Sequence, residues 1–319
     1  MEKNRILVTS RSFGTLSEKP VRTLTEAGWE IVMDRDSFDA DRFAKEIPEF
    51  DALIIGSHKF PAELMERCPR LRLIAKHGAG LDNIDLKAAK ALGIRVTNAP
   101  GTNSGAVADL TFGLIIDCAR HITKVARDVR AGIWKPAFGQ DVYGKTLGIA
   151  GFGAIGRQVA RRAKGFSMRV RVYDPLLDGI PEEFRDYCTL VPDLKEMVSQ
   201  CNFVTLHVPL LESTRGLMGE QEFAAMPKGS CFLNMARGGC VDENALYNAL
   251  ASGHLSAAAC DAVSVEPLPA DHPLLTLDEM IVTSHIGMYS VEAIDAISQI
   301  CADNAAALLR GEELRFAVT

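Results

Sequence analysis

The sequence lacks the features that mark several classes of protein. Its eight cysteines occur singly, without a CxxC pair, which argues against a disulfide framework and a zinc cluster. It has no apolar run of membrane-spanning length and no signal-peptide core near its start. Acidic residues outnumber basic ones, 41 to 35, so no surface for nucleic acid is expected. We therefore expect no metal, membrane or nucleic-acid partner, and a reducing, cytoplasmic location.

The composition is that of a folded α/β protein. The 319 residues are 47% hydrophobic and 7% aromatic, which argues against disorder. A chain of this length is too long to fold around one small core, and it suits two domains of about 100–200 residues each. The formal net charge of −6 favours solubility.

Short apolar runs alternate with helical patterns along the first hundred residues. Strand-like runs cover residues 5–9, 30–33, 52–55, 71–76 and 95–98, and helical patterns cover 20–27 and 61–67. Glycines at 28, 56 and 93 separate these segments. Apolar strands joined by helices predict a parallel sheet that is covered on both faces.

A second α/β series follows residue 144, with strands predicted at 146–150, 169–173, 203–208 and 231–234. Between the two series, apolar residues recur at three- and four-residue spacing from Val107 to Val129, which predicts one long helix. The last amphipathic segment, 291–309, is predicted to return to the first series. The predicted fold is α/β with two doubly wound parallel-sheet domains. One is discontinuous, 1–99 and 288–319, and 100–287 is inserted in it.

A glycine fingerprint, Gly151-Phe152-Gly153-Ala154-Ile155-Gly156, stands between a predicted strand and a predicted helix. There Gly151 makes a tight turn, Gly153 lets the backbone approach a pyrophosphate, and Gly156 lets the helix pack on the strand. Asp174 ends the next strand, where a carboxylate accepts hydrogen bonds from a ribose, and no cation follows to receive a 2′-phosphate. The pattern predicts NAD rather than NADP. The structural alternative is that Asp174 only caps a turn.

Three residues that carry chemistry end predicted strands beyond this fingerprint: Arg237, Glu266 and His285. Singly, each has an ordinary explanation as a loop charge, a turn before proline or a structural histidine. Together they supply a bidentate cation for a carboxylate, an imidazole that titrates near neutral pH, and an acid that orients it. They predict hydride transfer to or from an anionic 2-oxo or 2-hydroxy acid.

Seven longer motifs, spread along nearly the whole chain, share one family pattern. They cover residues 78–85 (GAGLDNID), 98–103 (NAPGTN), 151–156 (GFGAIG), 206–210 (LHVPL), 234–239 (NMARGG), 261–267 (DAVSVEP) and 285–287 (HIG). With these motifs the chain resembles the D-isomer-specific 2-hydroxyacid dehydrogenase family, in its D-3-phosphoglycerate dehydrogenase-like branch without a regulatory C-terminal domain. The resemblance implies a flavodoxin-like substrate domain with an inserted Rossmann NAD domain, NAD as cofactor, a small anionic 2-hydroxy or 2-oxo acid as substrate, and a homodimer.

The resemblance also implies roles for individual residues. Arg237 would bind the substrate carboxylate and carbonyl, and Glu266 would pair with His285, the proton donor in reduction. The backbone N–H groups of Ala79 and Gly80 would bind the substrate carboxylate. Besides the three fingerprint glycines, the residues expected to contact the cofactor are Ala154, Ile155, Asp174, Val208, Met235, Ala236 and Asp261, the last at the nicotinamide carboxamide.

Substrate choice is the question that the motifs leave open. The family pattern changes at Met288 and Tyr289, which follow the histidine motif. Lys59 follows the strand 52–55, and we expect it, with Arg11, to receive a second anionic group, which favours D-3-phosphoglycerate. If Lys59 is only solvated, a hydroxypyruvate, glyoxylate or other 2-oxo acid reductase is the alternative. A more distant alternative is an NAD-sensing corepressor that binds peptides, although long disordered flanks are missing.

Overall fold

The computed structural model describes residues 3–34 and 39–319. The chain divides into two compact units, a first unit of Met1–Asn103 and Met288–Thr319 and a second unit of Ser104–Gly287. The first boundary predicted from the sequence, between residues 99 and 100, lies slightly before this one. That predicted domain also includes residues 1, 2 and 35–38, which lie outside the described residues.

Within the described ranges every strand is parallel to its neighbours. The strands are β1 Arg5–Val8, β2 Glu30–Met33, β3 Ala52–Ile55, β4 Leu73–Lys76, β5 Arg95–Thr97, β6 Thr146–Ala150, β7 Arg169–Tyr173, β8 Cys188–Leu190, β9 Phe203–Leu206, β10 Cys231–Asn234, β11 Ala257–Cys260 and β12 Met280–Val282. The helices are α1 Lys19–Glu26, α2 Ala40–Glu46, α3 Ala62–Met65, α4 Leu86–Ala91, α5 Ser104–Arg120, α6 Ile122–Arg130, α7 Ala154–Gly165, α8 Leu194–Ser199, α9 Glu220–Ala225, α10 Glu243–Ala251 and α11 Val291–Arg310.

Each unit is built on one sheet. The first sheet has the order β2-β1-β3-β4-β5, which is the flavodoxin-like order, and the second has the order β12-β11-β10-β9-β6-β7-β8. In the second sheet, β6 to β11 follow the dinucleotide-binding order, and β12 extends one edge. Strands such as β6 and β10 are buried along their whole length, as expected for sheets with helices on both faces. The predicted fold class is confirmed.

The last helix belongs to the first unit. The indole Nε1–H of Trp29 donates a hydrogen bond of 3.0 Å to the Ala305 carbonyl of α11, and His77 Nε2 lies 2.9 Å from Ser298 Oγ. The buried face of α11 joins the apolar cluster around β1, β3 and β4. The chain therefore returns to its first sheet after completing the second unit, which explains why the first unit is discontinuous.

The prediction of one long helix between Val107 and Val129 is wrong, because the structure has two helices there. α5 ends at Arg120, and His121 adopts a left-handed conformation with φ of 54° before α6 begins. The Asp117 carboxylate accepts hydrogen bonds from the Thr123 backbone N–H at 2.8 Å and from the Thr123 hydroxyl at 2.5 Å. This side chain caps the start of α6 and so stabilises the break.

The described residues contain neither a membrane-spanning helix nor a cluster of metal-binding side chains. No helix there is long and apolar enough to cross a membrane. Nor do three or more His, Cys, Asp or Glu side chains in that part of the chain come together in a group that could hold a metal ion.

Candidate active site

The predicted cofactor and catalytic residues of the second unit follow the carboxyl ends of its strands. The glycine fingerprint follows β6, and Asp174 follows β7. Val208, Arg237 and Asp261 follow β9, β10 and β11. Because these parallel strands are neighbours, their carboxyl ends meet at one edge of the sheet, where open α/β sheets bind ligands.

The glycine loop is shaped by close backbone approaches. A Cβ atom built on Gly151, whose φ is 92°, would lie 2.6 Å from the His207 carbonyl oxygen. One built on Gly156 would lie 2.1 Å from the Gly151 carbonyl oxygen, so only glycine lets α7 start this close to β6. A Cβ on Gly153 would meet no protein atom within 4 Å. The loop therefore leaves open space in front of the N-terminus of α7, where Ala154 and Ile155 form the first helical positions.

Asp174 ties the glycine loop to the end of β7. Its Oδ2 accepts a hydrogen bond of 2.8 Å from the Phe152 backbone N–H, and its Oδ1 accepts one of 3.0 Å from Leu176 N–H. The turn-capping alternative considered for Asp174 is thus present in the structure. It does not exclude a ribose, since a carboxylate has about four acceptor positions and these bonds use two.

Next to the glycine loop, buried residues lie at the carboxyl ends of the neighbouring strands. Val208, Met235 and Ala236 are buried where β9 and β10 end. Burial lowers the pKa of His207 to about 3, so its ring is neutral at neutral pH. Its Nε2 lies 3.1 Å from Thr205 Oγ1, and its buried Nδ1 has no hydrogen-bond partner among the described residues. His207 therefore lines this region as an uncharged ring.

His285 and Glu266 form a direct pair. His285 Nδ1 lies 2.9 Å from Glu266 Oε2 and 3.1 Å from Oε1, and both side chains are partly exposed, at 45% and 41%. A carboxylate only accepts hydrogen bonds, so Nδ1–H is the donor and Nε2 is left for another partner. Burial alone would raise the pKa of Glu266. The hydrogen bond and charge of His285, the Val263 N–H and the charge of Arg237 outweigh burial and lower that pKa.

The backbone around His285 is held by Asp261. His285 has a left-handed conformation with φ of 57°, which costs energy for a residue with a side chain. The buried Asp261 carboxylate accepts hydrogen bonds of 2.8 Å from the N–H groups of Ile286 and Gly287 and one of 2.6 Å from the Thr283 hydroxyl. These three bonds fix the turn that presents the imidazole. Asp261 thus has a structural role besides the cofactor contact expected for it.

The loop of Arg237 is held by the first residue of the motif 234–239, for which the sequence predicted no role of its own. Asn234, buried at the end of β10, donates hydrogen bonds of 3.0 Å to the carbonyls of Arg237 and Ala262 and accepts one from Ala236 N–H. Asn234 thereby joins the loop of Arg237 to the loop that follows β11. The signal was a polar residue at the end of an apolar strand, but the partner Ala262 is 28 residues away, and local patterns do not reveal it.

The predicted substrate residues of the first unit follow β3 and β4. Ala79 and Gly80 lie after β4, where Asn98 Nδ2 donates to the Ala79 carbonyl at 2.6 Å. Lys59 is exposed in the loop after β3. The two loops are joined by Lys76, whose Nζ donates to the Gly56 carbonyl and to Asn83 Oδ1. Asn83 Nδ2 in turn donates to the His58 carbonyl at 2.6 Å, next to Lys59.

Comparison with known proteins identifies the family. Residues 112–287, more than half of the chain, match the model of the D-isomer specific 2-hydroxyacid dehydrogenase, NAD binding domain. The chain belongs to the D-isomer specific 2-hydroxyacid dehydrogenase family. Its members are NAD-dependent oxidoreductases, so the resemblance read from the motifs and the expected cofactor are confirmed.

Relatives of this chain carry different substrate names. It is 40% identical over 313 residues to the D-3-phosphoglycerate dehydrogenase of Methanocaldococcus jannaschii, a match that covers 97% of this chain and 58% of that one. It is 39% identical to the glyoxylate reductase of Korarchaeum cryptofilum over 97% of this chain and 94% of the other. The NAD-bound 3-phosphoglycerate dehydrogenase of Entamoeba histolytica has the same fold, with a TM-score of 0.84, 26% identity and coverage of 100% and 99%.

The residues around the glycine loop fit a bound NAD. The glycine loop has room at Gly153 for a group that approaches the backbone, and α7 begins directly behind it. Asp174 lies beside the same loop through its bond to Phe152 N–H, which is where a ribose next to a pyrophosphate would need an acceptor.

This arrangement predicts discrimination against NADPH. Asp174→Asn removes the charge but keeps an oxygen acceptor, so a 2′-phosphate is no longer repelled. We expect the ratio of kcat/KM for NADH over NADPH to fall about tenfold or more. Steady-state kinetics with one 2-oxo acid measure this ratio, and Asp178→Asn, an exposed carboxylate further along the same loop, is the matched control. Equal efficiencies of the unmodified protein with the two cofactors would contradict the role.

Proposed function

We propose that this protein interconverts a D-2-hydroxy acid and its 2-oxo acid with NAD, and that its substrate resembles D-3-phosphoglycerate. The observation that carries the proposal is the bond from His285 Nδ1–H to Glu266, which leaves Nε2 to exchange a proton with a ligand. The chain spans 58% of the length of the methanogen relative, so its activity rests on the site rather than on that relative's name.

The proposed mechanism assigns one task to each catalytic residue. Bound NAD supplies hydride transfer at its nicotinamide ring. Arg237 binds the substrate carboxylate, because a guanidinium stays charged and bonds in bidentate fashion. In reduction, the protonated His285 gives its Nε2 proton to the carbonyl oxygen, which becomes the hydroxyl. Glu266 stabilises the imidazolium before this transfer, and in oxidation the neutral Nε2 takes the hydroxyl proton.

The remaining contacts are assigned by the same proposal. Ala154 and Ile155 would face the pyrophosphate at the first turn of α7, and Val208, Met235 and Ala236 would line the cofactor. Asp261 would accept a hydrogen bond from the nicotinamide carboxamide through its remaining acceptor capacity. Ala79 and Gly80 would direct backbone N–H groups to the substrate carboxylate.

The phosphate of the substrate is assigned to Lys59 and Arg11. Arg11 follows β1 and Lys59 follows β3, and these neighbouring parallel strands end at the same edge of the first sheet. Both side chains are exposed, so a soluble anion can reach them. Two cations near one sheet edge favour a substrate with a second anionic group over glyoxylate or hydroxypyruvate.

A homodimer and a cytoplasmic location complete the proposal. α6 has no buried residue, and the loop after it exposes Trp134 at 89% and Phe138 at 97%. Ile133 and Tyr143 of the same segment are also exposed, and we assign these four side chains to an apolar surface that a second copy of the chain would cover. All eight cysteines are buried and none is in a disulfide, which suits a reducing compartment.

The catalytic pair predicts a specific change in pH dependence. His285→Ala should lower kcat about 10²–10⁴-fold while NADH still binds. Glu266→Gln should lower kcat and move the alkaline limb of the reduction profile to lower pH, because the imidazolium loses its carboxylate partner. Rates of NADH oxidation from pH 5 to 10 and a fluorescence titration of NADH check both effects. A Glu266→Gln profile that overlays the wild-type profile would count against the pair.

The substrate assignment predicts a selective loss at Lys59. Lys59→Ala should lower kcat/KM for 3-phosphohydroxypyruvate about tenfold to a hundredfold and leave glyoxylate and hydroxypyruvate unchanged. Lys90→Ala, which removes an exposed lysine of α4, should change neither. If the unmodified protein reduces glyoxylate or hydroxypyruvate as well as the phosphorylated acid, the general 2-oxo acid reductase is the better assignment.

The apolar surface predicts a dimer that charged substitutions within this surface would disrupt. Light scattering after size exclusion should give twice the mass of 34.6 kDa for the unmodified chain. The double substitution Trp134→Asp and Phe138→Asp should give a monomer, because it would bury two charges in the contact. Leu176→Asp, at a similarly exposed leucine outside this surface, should remain dimeric. A monomeric unmodified protein would refute this part of the proposal.

A further inference from the structure

A second carboxylate, that of Glu243, holds the loop that carries Glu266. Glu243 is the first residue of α10, and the preceding Asp242 already caps this helix by accepting from the N–H groups of Asn244 and Ala245. The Glu243 side chain, only 13% exposed, instead accepts from Ser264 N–H at 2.7 Å and from the Ser264 hydroxyl at 2.6 Å. Both donors of one residue therefore bind one carboxylate, as two charge-assisted hydrogen bonds.

Ser264 lies two residues before Glu266, in a loop whose position is restricted from the opposite side. A Cβ on Gly238 would lie 2.0 Å from the Val263 carbonyl carbon and 2.2 Å from Ser264 N, so the loop packs directly on the backbone that follows Arg237. Val263 N–H donates to Glu266 Oε1 at 3.2 Å. The backbone at residues 263 and 264 thus determines where the Glu266 carboxylate lies.

The other groups described near Glu243 are compatible with its two hydrogen bonds from Ser264. His272 Nε2 lies 3.6 Å from Glu243 Oε2, and its Nδ1 accepts from Leu274 N–H, so Nε2 carries the proton and points to the carboxylate. The thiol of Cys260 in β11 also interacts electrostatically with Glu243, and burial raises the pKa of that thiol to about 12, so it stays neutral. Glu243 is therefore faced by donors and by a neutral thiol.

We propose that Glu243 is a positioning residue that acts through Ser264, holding the 263–266 backbone so that the Glu266 carboxylate faces His285 Nδ1. This inference rests on the proposed function, because it concerns the proton donor of that reaction. Neither Glu243 nor Ser264 touches the substrate or cofactor in this account. Their effect reaches the reaction only through the Glu266–His285 pair.

The test compares four variants of the protein in the reduction direction. Glu243→Ala and Ser264→Ala should lower kcat, the former about tenfold, while KM for the 2-oxo acid and Kd for NADH stay within about twofold. Their alkaline limbs should move to lower pH, as in Glu266→Gln. Ser264→Thr keeps both the backbone N–H and the hydroxyl donor, so its pH–rate profile should match that of the wild type. Glu220→Ala, which removes an exposed first-position glutamate from α9, should change nothing.

Combining Glu243→Ala with Glu266→Gln separates positioning from general destabilisation. If Glu243 acts only through Glu266, the double variant should be no slower than Glu266→Gln alone, because the two losses share one mechanism. Additive losses, or a Glu243→Ala profile with an unmoved alkaline limb, would overturn the inference while the proposed function stands. If Glu266→Gln and His285→Ala themselves leave turnover unchanged, the proposed function fails instead. Should Glu243→Ala not fold, Ser264→Ala tests the same contact with α10 intact.

Discussion

The hydrogen bond from His285 Nδ1–H to the Glu266 carboxylate determines which ring nitrogen of His285 is left to exchange a proton. The bond fixes the tautomer of the neutral ring, so that Nε2 is the nitrogen left for another partner. Because the surrounding donors and cations lower the pKa of Glu266, the carboxylate stays ionised at neutral pH. Acid–base chemistry at Nε2 therefore depends on how firmly these two exposed side chains are held together.

Buried polar groups hold the loops that carry His285 and Glu266. Asp261 fixes the turn around His285, whose left-handed backbone would otherwise relax. Asn234 joins the loops that follow β10 and β11. Asn234 ends β10 and Asp261 directly follows β11, two neighbouring parallel strands of one sheet, so the rigid part of the fold reaches the loops that carry Glu266 and Arg237.

Much of this architecture is predictable from the sequence, because apolar strands and glycine turns are local patterns. Five strands have the predicted bounds: β2, β3, β6, β7 and β10. The glycine fingerprint lies between a strand and a helix, as predicted. β11 was missed because Ala257–Cys260 is rich in alanine, a weak strand former, and buried at every position. The break at His121 depends on the Asp117 cap, which hydrophobic spacing does not reveal. The supports from Asn234 and Asp261 join distant loops, and only the folded chain places their partners together.

Chemical rescue of His285→Ala by imidazole tests the central claim most directly. The side chain is 45% exposed, so added imidazole can reach the space left by the missing ring. The account predicts that imidazole restores 2-oxo acid reduction, that the restored rate follows the concentration of imidazolium rather than of neutral imidazole, and that rescue weakens when Glu266→Gln is also present. Reduction by His285→Ala at the wild-type rate, indifferent to imidazole, would contradict it.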